Sequence, residues 1–184
     1  MSTIRIMTAD KAMAETSFGQ ICTAITALEA ACFPPAEAAP YESFATRLAA
    51  FPDRFWLLYL DGELVSMVNG CLSDERDLRD EMFHHASLHA PEGKWQMIFG
   101  VATLPAYRRR GYAGSLLETA IRQCRLENRA GLVLTCKQAK LAYYAKFGFV
   151  NEGLSSSEHG GDVWYQMRIA CDTASRTVKE DIDK

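Results

Sequence analysis

Apolar residues change their period several times along the 184-residue chain, and each change marks an element. Ile4 and Ile6 alternate with polar neighbours over residues 3–8, the period of two expected of a first strand. From Ser17 the period lengthens, and Phe18, Ile21, Cys22, Ile25, Leu28 and Cys32 recur at helical spacing. Pro34-Pro35 ends that helix, because proline has no amide hydrogen to give a helix interior. A second helix is expected over Tyr41–Ala50, stopping near Pro52. Residues 54–60 and 63–72 then form two strand-like runs about Asp61-Gly62, a strong hairpin signal.

Residues 74–93 are polar, hold His84, His85 and His89, and offer no strand; a short helix inside a long connection is expected there. Residues 95–103 read as a buried strand closed by Leu104-Pro105. Leu116, Leu117, Ala120, Ile121 and Cys124 then define one face of a helix reaching about Asn128. A strand over 132–136, a short helix over 138–147 ended by Gly148, and strands over 149–152 and 163–169 complete the pattern. The strand-helix-strand unit implies a parallel pair and the hairpin an antiparallel one. The expected fold is therefore of the mixed α/β (α+β) class: a central mixed sheet of six to seven strands flanked by helices. One domain is expected over residues 1–170, with a polar tail over 171–184.

Composition narrows the function classes. A hydrophobic share of 48% and a charged share of 23% are ordinary for a globular protein. The net charge of -3 argues against a nucleic-acid partner, which would call for a basic surplus. No run approaches the roughly 18 apolar residues of a membrane span, and the first ten residues lack the layout of a secretory signal. The six cysteines are scattered without CxxC spacing, so neither a disulfide framework nor a metal site is expected, and a cytoplasmic location is.

The stretch that carries chemistry is Arg108-Arg109-Arg110-Gly111-Tyr112-Ala113-Gly114, between the 95–103 strand and the following helix. A helix start presents amide hydrogens without intrahelical partners and a positive dipole end, and glycines let a phosphate approach the backbone. The arginines add forked donors suited to phosphate oxygens. A solvated basic turn ahead of an ordinary helix is the competing reading. The spacing is neither that of a Walker loop nor GxGxxG, so nucleoside triphosphate and dinucleotide sites are not favoured.

Arg108-x-x-Gly111-x-Ala113 resembles the RxxGxA pyrophosphate loop of GNAT acetyltransferases, and Tyr143-Tyr144-Ala145-Lys146-Phe147-Gly148-Phe149 resembles their YYxKFGF element. The resemblance implies acetyl-CoA as co-substrate and no metal. Val101, Ala102 and Thr103 would offer backbone to the pantetheine arm at a bulged, splayed strand. Residues 108–114 (Arg108, Arg109, Arg110, Gly111, Tyr112, Ala113, Gly114) would hold the pyrophosphate. An amide at Gly100 or Val101 would polarise the thioester carbonyl, and Tyr144 would donate a proton to the departing thiolate.

Cys32-Phe33-Pro34-Pro35 and the hairpin are similar to the arylalkylamine (serotonin) N-acetyltransferase branch. That branch's two relay histidines are replaced here by Met97 and Phe99, so another base is needed. His159 is the candidate placed by the resemblance near the acceptor pocket, against the reading of a turn residue beside Gly160-Gly161. His84, His85, His89, Glu75 and Glu81 qualify by side-chain chemistry alone, and Met97, Phe99 and Trp164 are either pocket walls or ordinary core. The expected activity is transfer of an acetyl group to a primary amine, a small molecule, by direct attack. The alternatives are a protein or peptide amine acetyltransferase and a non-catalytic CoA-binding sensor. A monomer or homodimer is expected, with neither nucleic acid nor membrane as partner.

Overall fold

The computed structural model describes residues 2–171, so the expected tail beyond Cys171 lies outside the described residues. Seven strands form one sheet in the order β1-β2-β3-β4-β5-β7-β6. They are β1 (Ile4–Thr8), β2 (Phe55–Leu60), β3 (Glu63–Ser73), β4 (Trp95–Thr103), β5 (Gly131–Cys136), β6 (Val150–Leu154) and β7 (Tyr165–Ala170). Only β4 and β5 run parallel, as their helical crossover requires; every other neighbouring pair is antiparallel. The mixed sheet flanked by helices agrees with the sequence expectation.

The helices are α1 (Ala9–Ala12), α2 (Phe18–Cys32), α3 (Tyr41–Ala50), α4 (Glu81–His84), α5 (Tyr112–Leu126) and α6 (Leu141–Ala145). Ser17 caps α2 through a capping box with Gln20. One core lies between the sheet and α1–α4, built on Ile21, Ile25, Phe44, Phe55 and Met97; the other lies under α5 and α6, on Trp56, Leu117, Ile121 and Leu134. The four-residue α1 was not legible in the periodicity, because four residues are too few to establish a helical repeat. The helix expected over 138–147 is a 3₁₀ turn over Gln138–Lys140 followed by α6, with Gly148 at φ +93° ending it.

A bulge in β4 sets up everything that follows. Asn69 of β3 pairs with Gly100 but Gly70 pairs with Ile98, so Phe99 is the extra residue. The bulge exchanges the faces of the strand: Met97 and Ala102 pack in the first core, Ile98 and Val101 against the second. Glycine is required opposite it, since a Cβ on Gly70 would stand 1.7 Å from the Met97 carbonyl oxygen.

Candidate active site

Pairing between β4 and β5 stops at Ile98 and Leu134, although β4 runs on to Thr103 and β5 to Cys136. The strands part from there, and a cleft of about 600 Å³ opens between them. Beyond the bulge, the edge of β4 that faces β5 therefore has backbone groups free to pair with a ligand. Val101, Ala102 and Thr103 line this cleft, as do Arg108, Arg109, Gly111, Tyr112 and Ala113 at its far end.

Gly111 caps the fifteen-residue α5 in the left-handed conformation at φ +84°, and a Cβ there would meet nothing within 4 Å. The first amides of α5 have no intrahelical partner and a positive dipole behind them, and Gly111, Tyr112 and Ala113 at that helix start line the cleft. Arg108 braces the loop by donating from Nε to the Thr103 carbonyl oxygen at 3.1 Å. Arg110 and Gly114 stand off the cleft lining: the Arg110 guanidinium lies over the Tyr107 ring, and Gly114 packs against Phe147. A cleft of this size, ending on a bare helix start with arginines, fits a long ligand carrying a diphosphate.

Tyr144 lines the middle of the cleft and is 9% exposed. Burial, with smaller contributions from Cys136 and Tyr143, raises its phenol well above the usual range, so it keeps its proton at neutral pH. Cys136 lies on the same wall, and burial pushes its thiol up to about 11.

His159 lines the cleft and also a second, smaller cavity of about 150 Å³. Its Nε2 lies 3.1 Å from the Glu37 carbonyl oxygen, which can only accept, so Nε2 carries the hydrogen. The ring packs against Phe83 and Trp164. The other candidates scatter. His84 borders the smaller cavity, His89 accepts the Leu72 amide hydrogen on Nδ1 and stacks on Phe51, Glu75 pairs with Arg79, and His85 and Glu81 are exposed. Phe99 and Trp164 reach the cleft as expected of pocket walls, whereas Met97 is wholly buried in the first core and touches neither cavity.

The residue missed by the sequence reading is Glu29. It projects from α2, is 6% exposed, and lines both cavities. Its Oε1 accepts the Ala39 amide hydrogen at 3.4 Å, while Oε2 is buried with no partner among the described residues. Oε2 lies 3.8 Å from where a Cβ on Gly100 would stand, so it faces the bulge. Burial raises its carboxyl from 4.5 to about 7, against the lowering effects of the Ala39 amide and the Arg47 charge. The available signal was its place in the stripe of Ile21, Cys22, Ile25 and Leu28, where an acid has no reason to be unless it is used.

Linkage makes this testable without any substrate. Folded Glu29 holds its proton more tightly than the unfolded chain does, so its contribution to stability is complete below about pH 4.5 and is lost as pH rises through about 7. Glu29→Gln, which cannot ionise, is expected to be more stable than wild type at pH 8. The gain should reach up to roughly 3 kcal/mol, since each tenfold difference in proton affinity between folded and unfolded chain is worth about 1.4 kcal/mol. At pH 4 it should vanish. Urea unfolding at the two pH values measures it; equal stabilities at pH 8 would mean that the carboxylate ionises without penalty.

The model of the Acetyltransferase (GNAT) family matches residues 22–149. The chain belongs to the GNAT acetyltransferase family. The match spans the bulged strand, the helix-capping loop and Tyr144. No curated protein matches in sequence. Among solved structures, the chain resembles the GphF GNAT-like decarboxylase in complex with isobutyryl-CoA, at 20% identity and TM-score 0.75 over 91% of this chain and 99% of that one. It also resembles the ribosomal-protein-S18-alanine N-acetyltransferase from Escherichia coli, at 17% identity and TM-score 0.64 over 97% of this chain and 99% of that one. A GNAT acetyltransferase from Brucella melitensis in complex with acetyl-CoA matches at 18% identity and TM-score 0.55, over 91% of this chain and 88% of that one. At such identities the likeness is one of GNAT fold. No helix among the described residues is long and apolar enough to cross a membrane.

Proposed function

We propose that this GNAT protein is an acetyl-CoA-dependent N-acetyltransferase that acetylates the primary amine of a small molecule by direct attack. The observation that carries the reading is Glu29: a buried carboxylate with one oxygen free, where a CoA-sized cleft meets a second cavity. Bound acetyl-CoA supplies the activated acyl carbon. Beside the bulge, Glu29 Oε2 takes the proton that an alkylammonium must lose before its nitrogen can attack. A carboxyl near 7 suits that task, being largely ionised just above neutrality yet basic enough to accept. The Gly100 or Val101 amide is aimed at the oxygen on which charge develops. Tyr144 holds a proton at neutral pH and gives it to the departing sulfur.

His159 is a wall of the acceptor side in this reading. With Nε2–H committed to the Glu37 carbonyl, only Nδ1 is left to accept, so Glu29 is preferred as the base. An acyl-enzyme on Cys136 is disfavoured, because a thiol raised to about 11 is a poor nucleophile near pH 7. The arylalkylamine branch has the Cys32–Pro34 wall of the cleft in its favour and the core position of Met97 against it. Five of the six cysteines are buried, which suits a reducing compartment such as the cytoplasm.

Thiol release from acetyl-CoA over a panel of arylalkylamines, short aliphatic amines, polyamines and short peptides tests the assignment. Turnover is expected with small primary amines. Acetylation of peptides alone would overturn the substrate class in favour of a peptide acetyltransferase, and CoA binding without turnover on any amine would favour a sensor.

A further inference from the structure

Among the described residues three arginines are buried, and two of them are paired with acids. Arg54 meets Asp53 and Glu127 at 2.8 and 2.9 Å, and Arg168 meets Asp77 and Glu152 at 2.7 and 2.8 Å. Arg47 on α3 is as deeply buried, at 6% exposed, yet no carboxylate among the described residues lies within 4.0 Å of it. Its Nη2 donates to the Phe83 carbonyl oxygen at 2.7 Å, and its guanidinium carbon lies over the Phe44 and Phe99 rings. Taking a cation out of water without an anion is costly, so a site that keeps one is prepared for an anion.

Arg47 lines the small cavity beside Gly100, and so do the only two unpartnered side-chain acceptors buried among the described residues. These are Glu29 Oε2 and Asn69 Oδ1; the Asn69 amide lies against Gly100, with its nitrogen 3.0 Å from the position of a Cβ there. Two acceptors without donors and one guanidinium with no carboxylate in contact thus share one small space. A ligand with an ammonium at one end and a carboxylate at the other satisfies all three.

We infer that the small cavity is the acceptor site, and that it takes a small amino acid. The ammonium sits between Glu29 and Asn69 at the bulge, and the carboxylate sits on Arg47. The inference rests on the acetyl-transfer reading and names its substrate class. The fork of Arg47 is matched to two carboxylate oxygens, and the Phe83 and Phe99 walls exclude water around it. At about 150 Å³ the cavity suits glycine, β-alanine or a short ω-amino acid rather than a long side chain.

The test uses pairs of amines of equal chain length with and without a terminal carboxylate: glycine against methylamine, β-alanine against ethylamine. With wild type and acetyl-CoA, the carboxylate-bearing member is expected to have a kcat/KM at least about tenfold higher, the factor a charge-assisted hydrogen bond supplies. Arg47→Gln should remove that preference mainly through KM, and Arg47→Lys, which keeps the charge but loses the fork, should restore it in part. Thermal unfolding and CoA affinity of each variant report whether it folds. Binding is measured separately, by calorimetry of β-alanine added to the CoA complex of wild type and of Arg47→Lys. Binding weakened at least tenfold by Arg47→Lys supports the site even if no amine turns over, and in that event only the acetyl-transfer reading falls. Equal use of both members of a pair, or β-alanine affinity that does not depend on Arg47, overturns the inference.

Discussion

Glu29→Gln is expected to lower kcat/KM for an amine acceptor at pH 7.5 by about a hundredfold to ten-thousandfold, the range spanned by a positioned general base. The amide is nearly the shape of the carboxylate, so CoA affinity should stay within about twofold. The signature that separates a base from a structural acid is the pH profile. Wild-type kcat/KM should rise with pH through about 7, where the raised carboxyl of Glu29 ionises, and then level until the amine itself titrates. In Glu29→Gln that step should be missing, leaving only the slope of the amine's own deprotonation. A variant whose profile keeps the step near 7 would move the base elsewhere, with His159 Nδ1 next in line.

The second large effect is at the opposite end of proton transfer. Tyr144→Phe is expected to reduce kcat by about a hundredfold or more with little change in KM, because a phenol that donates only to the leaving sulfur stabilises the transition state and not the bound reactants. The ring packs edge-on against Tyr143 and Phe149 and is retained in phenylalanine, so folding should be preserved. An acetyl thioester whose thiol is more acidic needs less help in leaving, and its rate should be hurt less by the substitution. A uniform loss across donors would assign the hydroxyl to positioning rather than proton donation.

How much of this could be read from the chain depends on whether a signal is local. The loop ahead of α5, the hairpin at Asp61-Gly62 and the helix that follows Ser17 are written in contiguous residues, and the structure has each of these elements where the sequence placed it. Tyr144 is legible for the same reason. The small cavity proposed for the acceptor is not contiguous: it brings Glu29 of α2, Arg47 of α3, Asn69 of β3 and Gly100 of β4 together. Each looks unremarkable in its own segment. Even so, Glu29 and Arg47 share one trace, a charge at a helical position whose neighbours on the same face, Ile25 and Leu28 or Phe44 and Leu48, are all apolar. The histidines drew attention by their chemistry, but side-chain type without a position in the fold does not separate His89, which receives the Leu72 amide, from a residue at the site. A bulge in this strand was expected from the resemblance, while its position at Phe99 is visible only once β3 is laid beside β4.

That single extra residue has a consequence for how the gene can vary. Removing one codon within residues 98–100 would restore even pairing with β3 and leave the later residues on the faces of their present partners, Val101 beside Val68 in one core and Ala102 beside Met67 in the other, so both cores would be kept and the bulge that faces the cleft would be lost. A one-residue deletion there is therefore expected to cost the site before it costs the fold. Insertions and deletions in this lineage should therefore collect in the 74–93 connection and stop at Trp95.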